Sequence, residues 1–274
     1  MNFSVDFMTQ DTNTTSQKMS AFAKFWLYSK KISVGLAVVT EGFYLVYRHR
    51  LYKDPNNPKN TRYVQYFCRR LCDVFNIDVR LHGDIPRQPA LWVGNHISWL
   101  DIPVFGSAAR VFFLAKAEIS SWPIVGNLAK GGGTLFIKRG SGDSMRIREE
   151  IAGFLKQDIP VLFFPEATTG DGKSIKKVHG RILGAAIEAQ KPVQIMLICY
   201  VNKDGYLDNV APFIGDITFV DHVKAVLEMP KVTAHIQALE AIPTEGHDVD
   251  SLTKVVQQAM VEGLAALQEK VLKV

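Results

Sequence analysis

The chain has 274 residues, 47% of them hydrophobic, which suits one large domain, or one domain with a terminal appendage, and excludes a largely disordered protein. The net charge of +5 favours partners that carry phosphate, whether nucleic acid, nucleotide, coenzyme or an anionic membrane surface, without choosing among them. Cys68, Cys72 and Cys199 are too few for a disulfide framework and predict reduced thiols in a cytoplasmic setting. Packing explains the first two better than half of a zinc site, which needs about four ligands.

The N-terminal part of the chain changes from polar to apolar. Residues 1–20 are rich in Asn, Thr, Ser and Gln, so we predict a disordered tail. An apolar stretch at 32–47 follows, with basic residues on both flanks; as a helix it would span roughly 24 Å, short of a hydrocarbon core of about 30 Å, although residues 22–28 extend it. Spanning a membrane and lying in one leaflet both remain open. With an amphipathic helix at 61–75, it predicts membrane-associated helices over 21–75; two core helices of a soluble protein are the alternative.

Beyond residue 76, short β-rich runs alternate with helical patterns, which predicts an α/β fold with a mixed, largely parallel sheet flanked by helices. Polar residues at strand-to-helix junctions are the candidates for a functional site. The predicted strands are 77–81, 90–94, 111–115, 134–138, 160–164, 193–201, 214–220 and 232–238. The predicted helices are 98–105, 143–157, 175–189, 221–227 and 251–272.

The first junction, ALWVGNHISWLDIP, runs from a buried strand through His96 into a helix for which Ser98 is the candidate cap. In a continuous helix His96 and Asp101 would lie about 140° apart, so they meet only if the backbone turns between them. The carboxylate would then hold one imidazole nitrogen and leave the other as a general base. A His and an Asp five residues apart also recur by chance. The alternative makes His96 a surface residue and Asp101 a capping group.

NHISWLD resembles the Asn-His-x4-Asp block of the glycerolipid acyltransferase family, which includes the 1-acylglycerol-3-phosphate acyltransferases. The resemblance implies that His96 is the base and Asp101 its orienting partner, with no covalent acyl-enzyme. The absence of a G-x-S-x-G motif agrees with this. It also implies that residues 76–274 form the acyltransferase domain.

The second block, LAKAEISSWPIVGNLAKGGGTLFIKRG, resembles the family's Lys-x-Glu and Gly-x-x-Phe-Ile-x-Arg elements. The resemblance implies that Arg139 contacts a phosphate, which a planar guanidinium can bind in bidentate fashion. It places three more residues in the substrate-binding site: Lys116, Gly133 and Phe136. The three glycines at 131–133 suit either a close backbone approach to a ligand or a tight turn, which we favour.

The third block, VLFFPEATTGDGKS, resembles the family's Phe-Pro-Glu-Gly-Thr-Arg element, which implies that Glu166 and Thr168 help to bind the acceptor. It departs from the family at two positions. Ala167 replaces a glycine, and Thr169 replaces the arginine that helps to hold the acceptor phosphate in phosphatidate-forming members. The two threonines resemble members that act on other lyso-lipids, including lyso-ornithine lipid acyltransferases.

The same stretch also reads as a degenerate Walker A motif, A-x4-G-K-S from Ala167 to Ser174, between a predicted strand and a predicted helix. A P-loop nucleotide-binding protein is therefore an alternative of a different class. Two features oppose it: alanine stands at the first position, and Glu166 would place a carboxylate beside the phosphates. A membrane-surface scaffold without chemistry is a third interpretation.

We predict a membrane-associated O-acyltransferase whose catalytic face is turned toward the cytoplasm. It would move a fatty acyl group from acyl-CoA or acyl carrier protein to a lysophospholipid hydroxyl, foremost the sn-2 hydroxyl of 1-acylglycerol-3-phosphate, giving phosphatidate. Lyso-ornithine lipid is the alternative acceptor. We expect membrane lipids and the acyl donor as partners, and no cofactor, metal or nucleic acid. The other histidines are predicted to be structural or surface residues: His49, His82, His179, His222, His235 and His247.

Overall fold

The fold is built on one seven-stranded sheet. The computed structural model describes residues 21–138, 143–229 and 231–273, so the predicted tail at 1–20 lies outside the described residues. The strands are β1 (Ile77–His82), β2 (Leu91–Gly94), β3 (Phe112–Lys116), β4 (Leu135–Ile137), β5 (Val161–Phe163), β6 (Val193–Val201) and β7 (Val232–Ala238).

The order of the strands is β1-β7-β6-β2-β5-β3-β4. Strands β6, β2, β5, β3 and β4 run parallel to one another. Strand β7 is antiparallel to β6 and parallel to β1. The predicted mixed, largely parallel sheet is confirmed. Because the five parallel strands share a direction, their carboxyl ends meet at one edge, where ligands bind in open α/β sheets.

Helices cover both faces of the sheet. They are α1 (Ala21–Arg48), α2 (Thr61–Val74), α3 (Asp101–Ala108), α4 (Val125–Gly131), α5 (Asp143–Lys156), α6 (Gly184–Ala189), α7 (Phe219–Glu228) and α8 (Val249–Val271). Helices α5, α6 and α8 pack on one face in a core of buried aliphatic residues. Helices α2, α3 and α7 pack on the other face. Strand β6, which is apolar except for Gln194 and the Tyr200 hydroxyl, is buried along its whole length because both layers cover it.

Two sequence predictions are wrong in the C-terminal half. Residues 214–220 were expected to form a strand, but residues 214–218 form a loop, and Phe219 and Val220 begin α7. The Thr218 hydroxyl caps that helix by accepting a hydrogen bond from the Asp221 amide. The helix predicted over 175–189 is confined to a 3₁₀ turn at Gly180–Leu183 and to α6. Its first residues stay extended because the Val178 amide donates to Gln257 of α8.

The region before β4 contains helical structure that the glycine-rich sequence did not suggest. A 3₁₀ turn spans Ala117–Ser121, and α4 follows it. Gly126 allows this packing, because a Cβ there would lie 2.5 Å from the Ser120 carbonyl oxygen. Helix α3 also begins later than predicted, at Asp101, and no side chain caps it.

The predicted N-terminal helices are present as α1 and α2, which pack against each other. Glu41, which interrupts the apolar stretch, forms an ion pair of 3.2 Å with Arg70 of α2. The outer face of α1 carries exposed apolar side chains, among them Trp26, Leu36 and Tyr44. Within the described residues, no helix has both the length and the apolar character required to cross a bilayer. All three cysteines are free and buried.

Candidate active site

The catalytic turn, which comprises residues 95–101, begins where β2 ends. The side chain of Asn95 lets the main chain leave the sheet there. Asn95 is buried, its Nδ2 donates to the Ile198 carbonyl at 3.0 Å, and its Oδ1 accepts from the Ile198 amide at 2.8 Å. The side-chain amide thereby replaces a backbone partner of β6 and satisfies both polar groups of that residue. The main chain is free to leave the sheet at His96.

His96 and Asp101 meet across this turn. Nδ1 of His96 lies 2.8 Å from Oδ2 of Asp101, and the same oxygen accepts from the Ile97 amide at 2.7 Å and the Ser98 amide at 2.9 Å. The Asp101 side chain is fully buried, whereas the His96 ring is 20% exposed. Because a carboxylate accepts, Nδ1 carries the proton, and Nε2 keeps its lone pair for a substrate. The two backbone amides fix the carboxylate and therefore the ring.

Tyr200 completes the set of contacts on Asp101, and the sequence reasoning did not identify it. Its hydroxyl donates to Oδ1 at 2.9 Å from the middle of the sheet. Burial raises the pKa of Tyr200 well above its ordinary value, and the Asp101 charge acts in the same direction, so the phenol stays protonated and remains a donor. The one signal in the sequence was a phenol within the apolar run of β6.

We expect Tyr200→Phe to lower kcat about tenfold and to leave KM nearly unchanged, since a hydrogen bond to a charged group contributes about 1.5 kcal/mol or more. The variant keeps the ring and removes only the donor, so the melting temperature should fall little. Steady-state kinetics checks this. Tyr206→Phe is the matched control, because Tyr206 is 55% exposed. Equal kcat values for the two variants would show that the Tyr200 hydroxyl does not support Asp101.

Glu166 joins the turn after β2 to the loop after β5. Its Oε1 accepts from the His96 amide at 2.8 Å, and its Oε2 accepts from the Lys176 amide at 2.6 Å. Burial raises the pKa of Glu166, while the two amide hydrogen bonds oppose that shift. Phe164, two residues earlier, stacks on the His96 ring with centroids 4.1 Å apart. The Glu166 carboxylate therefore binds the backbone amides of two loops. A direct contact between Glu166 and the acyl acceptor stays a prediction.

The loop after Glu166 wraps around the catalytic turn. Ala167 adopts a left-handed conformation with φ of 60°, which explains why the resembled family has glycine there. Thr168 is exposed, and the Gly170 amide donates to the His96 carbonyl at 2.8 Å. The Thr169 hydroxyl donates to the Phe213 carbonyl, so this side chain is engaged with a neighbouring loop.

The described residues of the second block lie on and around β3 and β4. Lys116 is exposed at the carboxyl end of β3, and Phe136 is half-buried in β4. Gly133 has φ of 77°, and a Cβ there would lie 2.5 Å from Phe112, which supports the tight turn. Arg139 lies outside the described residues. In the part of the chain that the structure describes, no hydrogen bond or ion pair joins Lys116, Gly133 or Phe136 to His96.

The P-loop alternative is wrong. A phosphate loop must lead directly into a helix whose amino terminus faces the phosphates. Here the chain after Ser174 forms no helix until the 3₁₀ turn at Gly180–Leu183. The Glu166 carboxylate also accepts a hydrogen bond from the Lys176 amide. The loop therefore surrounds a carboxylate of the protein, where a phosphate loop would surround a bound phosphate.

Comparison with known proteins agrees with this geometry. Residues 76–200 match the family model described as Acyltransferase. The chain is 44% identical over 213 residues to the lyso-ornithine lipid O-acyltransferase of Pseudomonas aeruginosa, covering 78% of this chain and 82% of that protein. It is 29% identical over 171 residues to a 1-acyl-sn-glycerol-3-phosphate acyltransferase of Neisseria meningitidis, covering 61% and 67%. The crystal structure of the 1-acyl-sn-glycerophosphate acyltransferase PlsC from Thermotoga maritima has a similar fold, with a TM-score of 0.65, 18% identity, and coverage of 91% and 98%.

Proposed function

The chain belongs to the acyltransferase family, and we propose that it transfers a fatty acyl group from a thioester donor to a hydroxyl of a lyso-lipid. One observation carries the proposal. The His96–Asp101 pair is held at 2.8 Å at the carboxyl edge of the sheet, with the second imidazole nitrogen unused by the carboxylate. A purified preparation in detergent, offered palmitoyl-CoA and a lyso-lipid, should release free thiol in proportion to the acylated product.

The chemistry follows from the fixed tautomer of His96. Nε2 accepts the proton of the acceptor hydroxyl while its oxygen attacks the thioester carbonyl, and Asp101 stabilises the resulting imidazolium. Collapse of the tetrahedral intermediate forms the ester and breaks the carbon–sulfur bond, and the imidazolium returns the proton to the leaving thiolate. Backbone N–H groups of the turn after Glu166 are the candidate donors to the developing oxyanion, apart from the Ala167 amide, which donates to the Phe164 carbonyl at 3.2 Å.

The proposed partners are the acyl donor and membrane lipids. The donor is acyl-CoA or acyl carrier protein, since both present the same thioester. The proposed reaction uses no cofactor beyond this donor. The exposed apolar face of α1 supports docking on a lipid surface, with the catalytic face turned toward the cytoplasm. Acyl chains would then enter the site from the lipid along the N-terminal helices.

We propose lyso-ornithine lipid as the acceptor and 1-acylglycerol-3-phosphate as the second candidate. The 44% identical relative acts on the first, and the 29% identical relative acts on the second. Thr169 supports this order. Phosphatidate-forming members carry an arginine at this position, whereas the Thr169 side chain is uncharged and donates a hydrogen bond to the Phe213 carbonyl. An ornithine headgroup carries a carboxylate and an ammonium group in place of a phosphate. The nearby Lys176 ammonium, 2.6 Å from the Thr169 carbonyl, is a single cation that suits a carboxylate.

We expect wild-type kcat/KM to favour lyso-ornithine lipid over 1-acylglycerol-3-phosphate by at least about tenfold, and Thr169→Arg to shift that ratio about tenfold toward the phosphate acceptor. A charge-assisted hydrogen bond to phosphate contributes about 1.5 kcal/mol or more, which corresponds to this factor. Thr169→Val is the matched control, because it breaks the hydrogen bond to Phe213 without adding charge.

The two parts of the proposal fail separately. A wild-type preference for 1-acylglycerol-3-phosphate would make the second candidate the acceptor. If neither lyso-lipid caused thiol release above the rate of the acyl donor alone, lyso-lipid acylation itself would be contradicted.

A further inference from the structure

His222, expected from the sequence to be structural, lies in direct contact with the catalytic turn. It is 2% exposed and belongs to α7. The indole nitrogen of Trp99 donates to its Nδ1 at 2.9 Å. Its Nε2 lies 3.0 Å from the Val210 carbonyl and 3.1 Å from the Pro212 carbonyl. One imidazole therefore bridges the turn between His96 and Asp101 and a loop that follows β6.

These partners determine the protonation of the ring. An indole N–H can only donate, so Nδ1 must accept, and a carbonyl can only accept, so Nε2 must carry the hydrogen. Burial lowers the pKa of His222, although the hydrogen bonds to the two carbonyls oppose that shift. The ring is neutral and has one tautomer, which leaves neither nitrogen available for proton transfer to a substrate.

The loop that His222 holds is bonded to both sides of the active site. Its start is fixed by the Asp208 amide, which donates to the Tyr200 carbonyl at 2.9 Å. At its end, the Phe213 amide donates to the Ile97 carbonyl at 2.9 Å. The Phe213 carbonyl accepts a hydrogen bond from the Thr169 hydroxyl, in the loop proposed to bind the lyso-lipid acceptor. Tyr200, which binds the start of this loop, also donates to Asp101. His222 is therefore connected to the His96–Asp101 pair in two ways, through the loop and Tyr200 and through the Trp99 indole.

We propose that His222 is a positioning residue of the acyl transfer, with separate tasks for its two nitrogens. Through Nδ1 and the Trp99 indole, it fixes the turn that presents His96 to the reacting atoms. Through Nε2 and the carbonyls of the 210–213 loop, it fixes the wall against which the acceptor headgroup binds. This inference rests on the proposed function and adds to it a residue that does not touch the substrate.

The two tasks separate in the kinetics. Trp99→Phe and His222→Gln both break the bond to the catalytic turn, the latter because an amide nitrogen near the Nε2 position keeps only the loop contacts. Both should lower kcat about tenfold, with acceptor KM within about threefold of wild type. His222→Asn keeps an acceptor oxygen near Nδ1 and loses the donor, so acceptor KM should rise about tenfold with a smaller change in kcat.

A double variant tests the shared hydrogen bond. Trp99→Phe with His222→Gln should lose no more than either single change, because both remove the same contact. His235→Asn is the matched control. His235 is 8% exposed and bonds another histidine, His82, at the edge of the sheet, so its loss should lower the melting temperature alone.

Kinetic constants equal to wild type in all the His222 and Trp99 variants, or changes only in melting temperature, would overturn the positioning role. A tenfold loss for each single change with a hundredfold loss for the double variant would overturn the Nδ1 link. A wild-type preparation without thiol release on any lyso-lipid is a different result, because it contradicts the proposed function, and the role of His222 falls with it.

Discussion

The His96→Ala variant should retain about one-thousandth or less of the wild-type kcat. General base catalysis contributes about 10²–10⁴-fold. Among the described residues that contact Asp101, His96 alone offers a nitrogen lone pair, since the other partners are backbone amides and the Tyr200 hydroxyl. The fold should survive, because the amide of residue 96 keeps its bond to Glu166 and Asp101 keeps two backbone amides and the Tyr200 hydroxyl. Thiol release under saturating donor and acceptor measures the effect.

His247→Ala is the control for this experiment. His247 hydrogen-bonds Ser251 at the start of α8, so its removal should leave kcat unchanged. A His96→Ala enzyme with more than about one-tenth of wild-type activity would show that another group accepts the proton. The loss would then be smaller than the contribution expected from a general base.

Asp101→Asn should lower kcat about 10²–10⁴-fold while nearly preserving side-chain volume. Oδ2 of Asp101 accepts three N–H groups. An asparagine oxygen in that place lacks the charge that stabilises the imidazolium, and an asparagine NH2 in that place opposes three donors. In the second orientation it would also favour the tautomer with hydrogen on Nε2, which cannot accept the hydroxyl proton.

Asp248→Asn is the matched control, because Asp248 also accepts a backbone amide but does so at the amino terminus of α8. Its kcat should match wild type. If Asp101→Asn lowered the melting temperature but left kcat at the wild-type value, Asp101 would be a turn-forming residue and the imidazole would not need its charge.

Much of the sheet follows from local sequence. The runs that become β2, β5 and β6 are almost entirely apolar and buried along their whole length, which is the pattern of central parallel strands. The meeting of His96 and Asp101 also followed from helix geometry, because only a break in the helix could bring them together.

The failures have specific causes. The 214–220 segment is rich in β-branched and aromatic residues, but the Thr218 cap stabilises a helix, and α7 packs its apolar side on the sheet. Helix α4 was missed because glycines lower helix propensity, while here Gly126 permits close packing.

The signal for Tyr200 is only a phenol within an apolar strand, and the sequence around His222 carries no signal of its role. Their partners, Asp101 and Trp99, are 99 and 123 residues away, and only the assembled sheet brings them together. The sequence therefore predicted the His96–Asp101 pair more readily than the residues that hold it in place.

The bidentate contact of Asn95 with Ile198 has a consequence for how the enzyme comes into being. It spans 103 residues. Joining parts of a chain this far apart costs entropy before the contact repays it, whereas helices such as α5 and α8 form from neighbouring residues. A chain in which β6 does not lie beside β2 still contains His96 and Asp101, but it lacks the Asn95 and Tyr200 contacts that hold them. Activity should therefore report whether these two strands have paired.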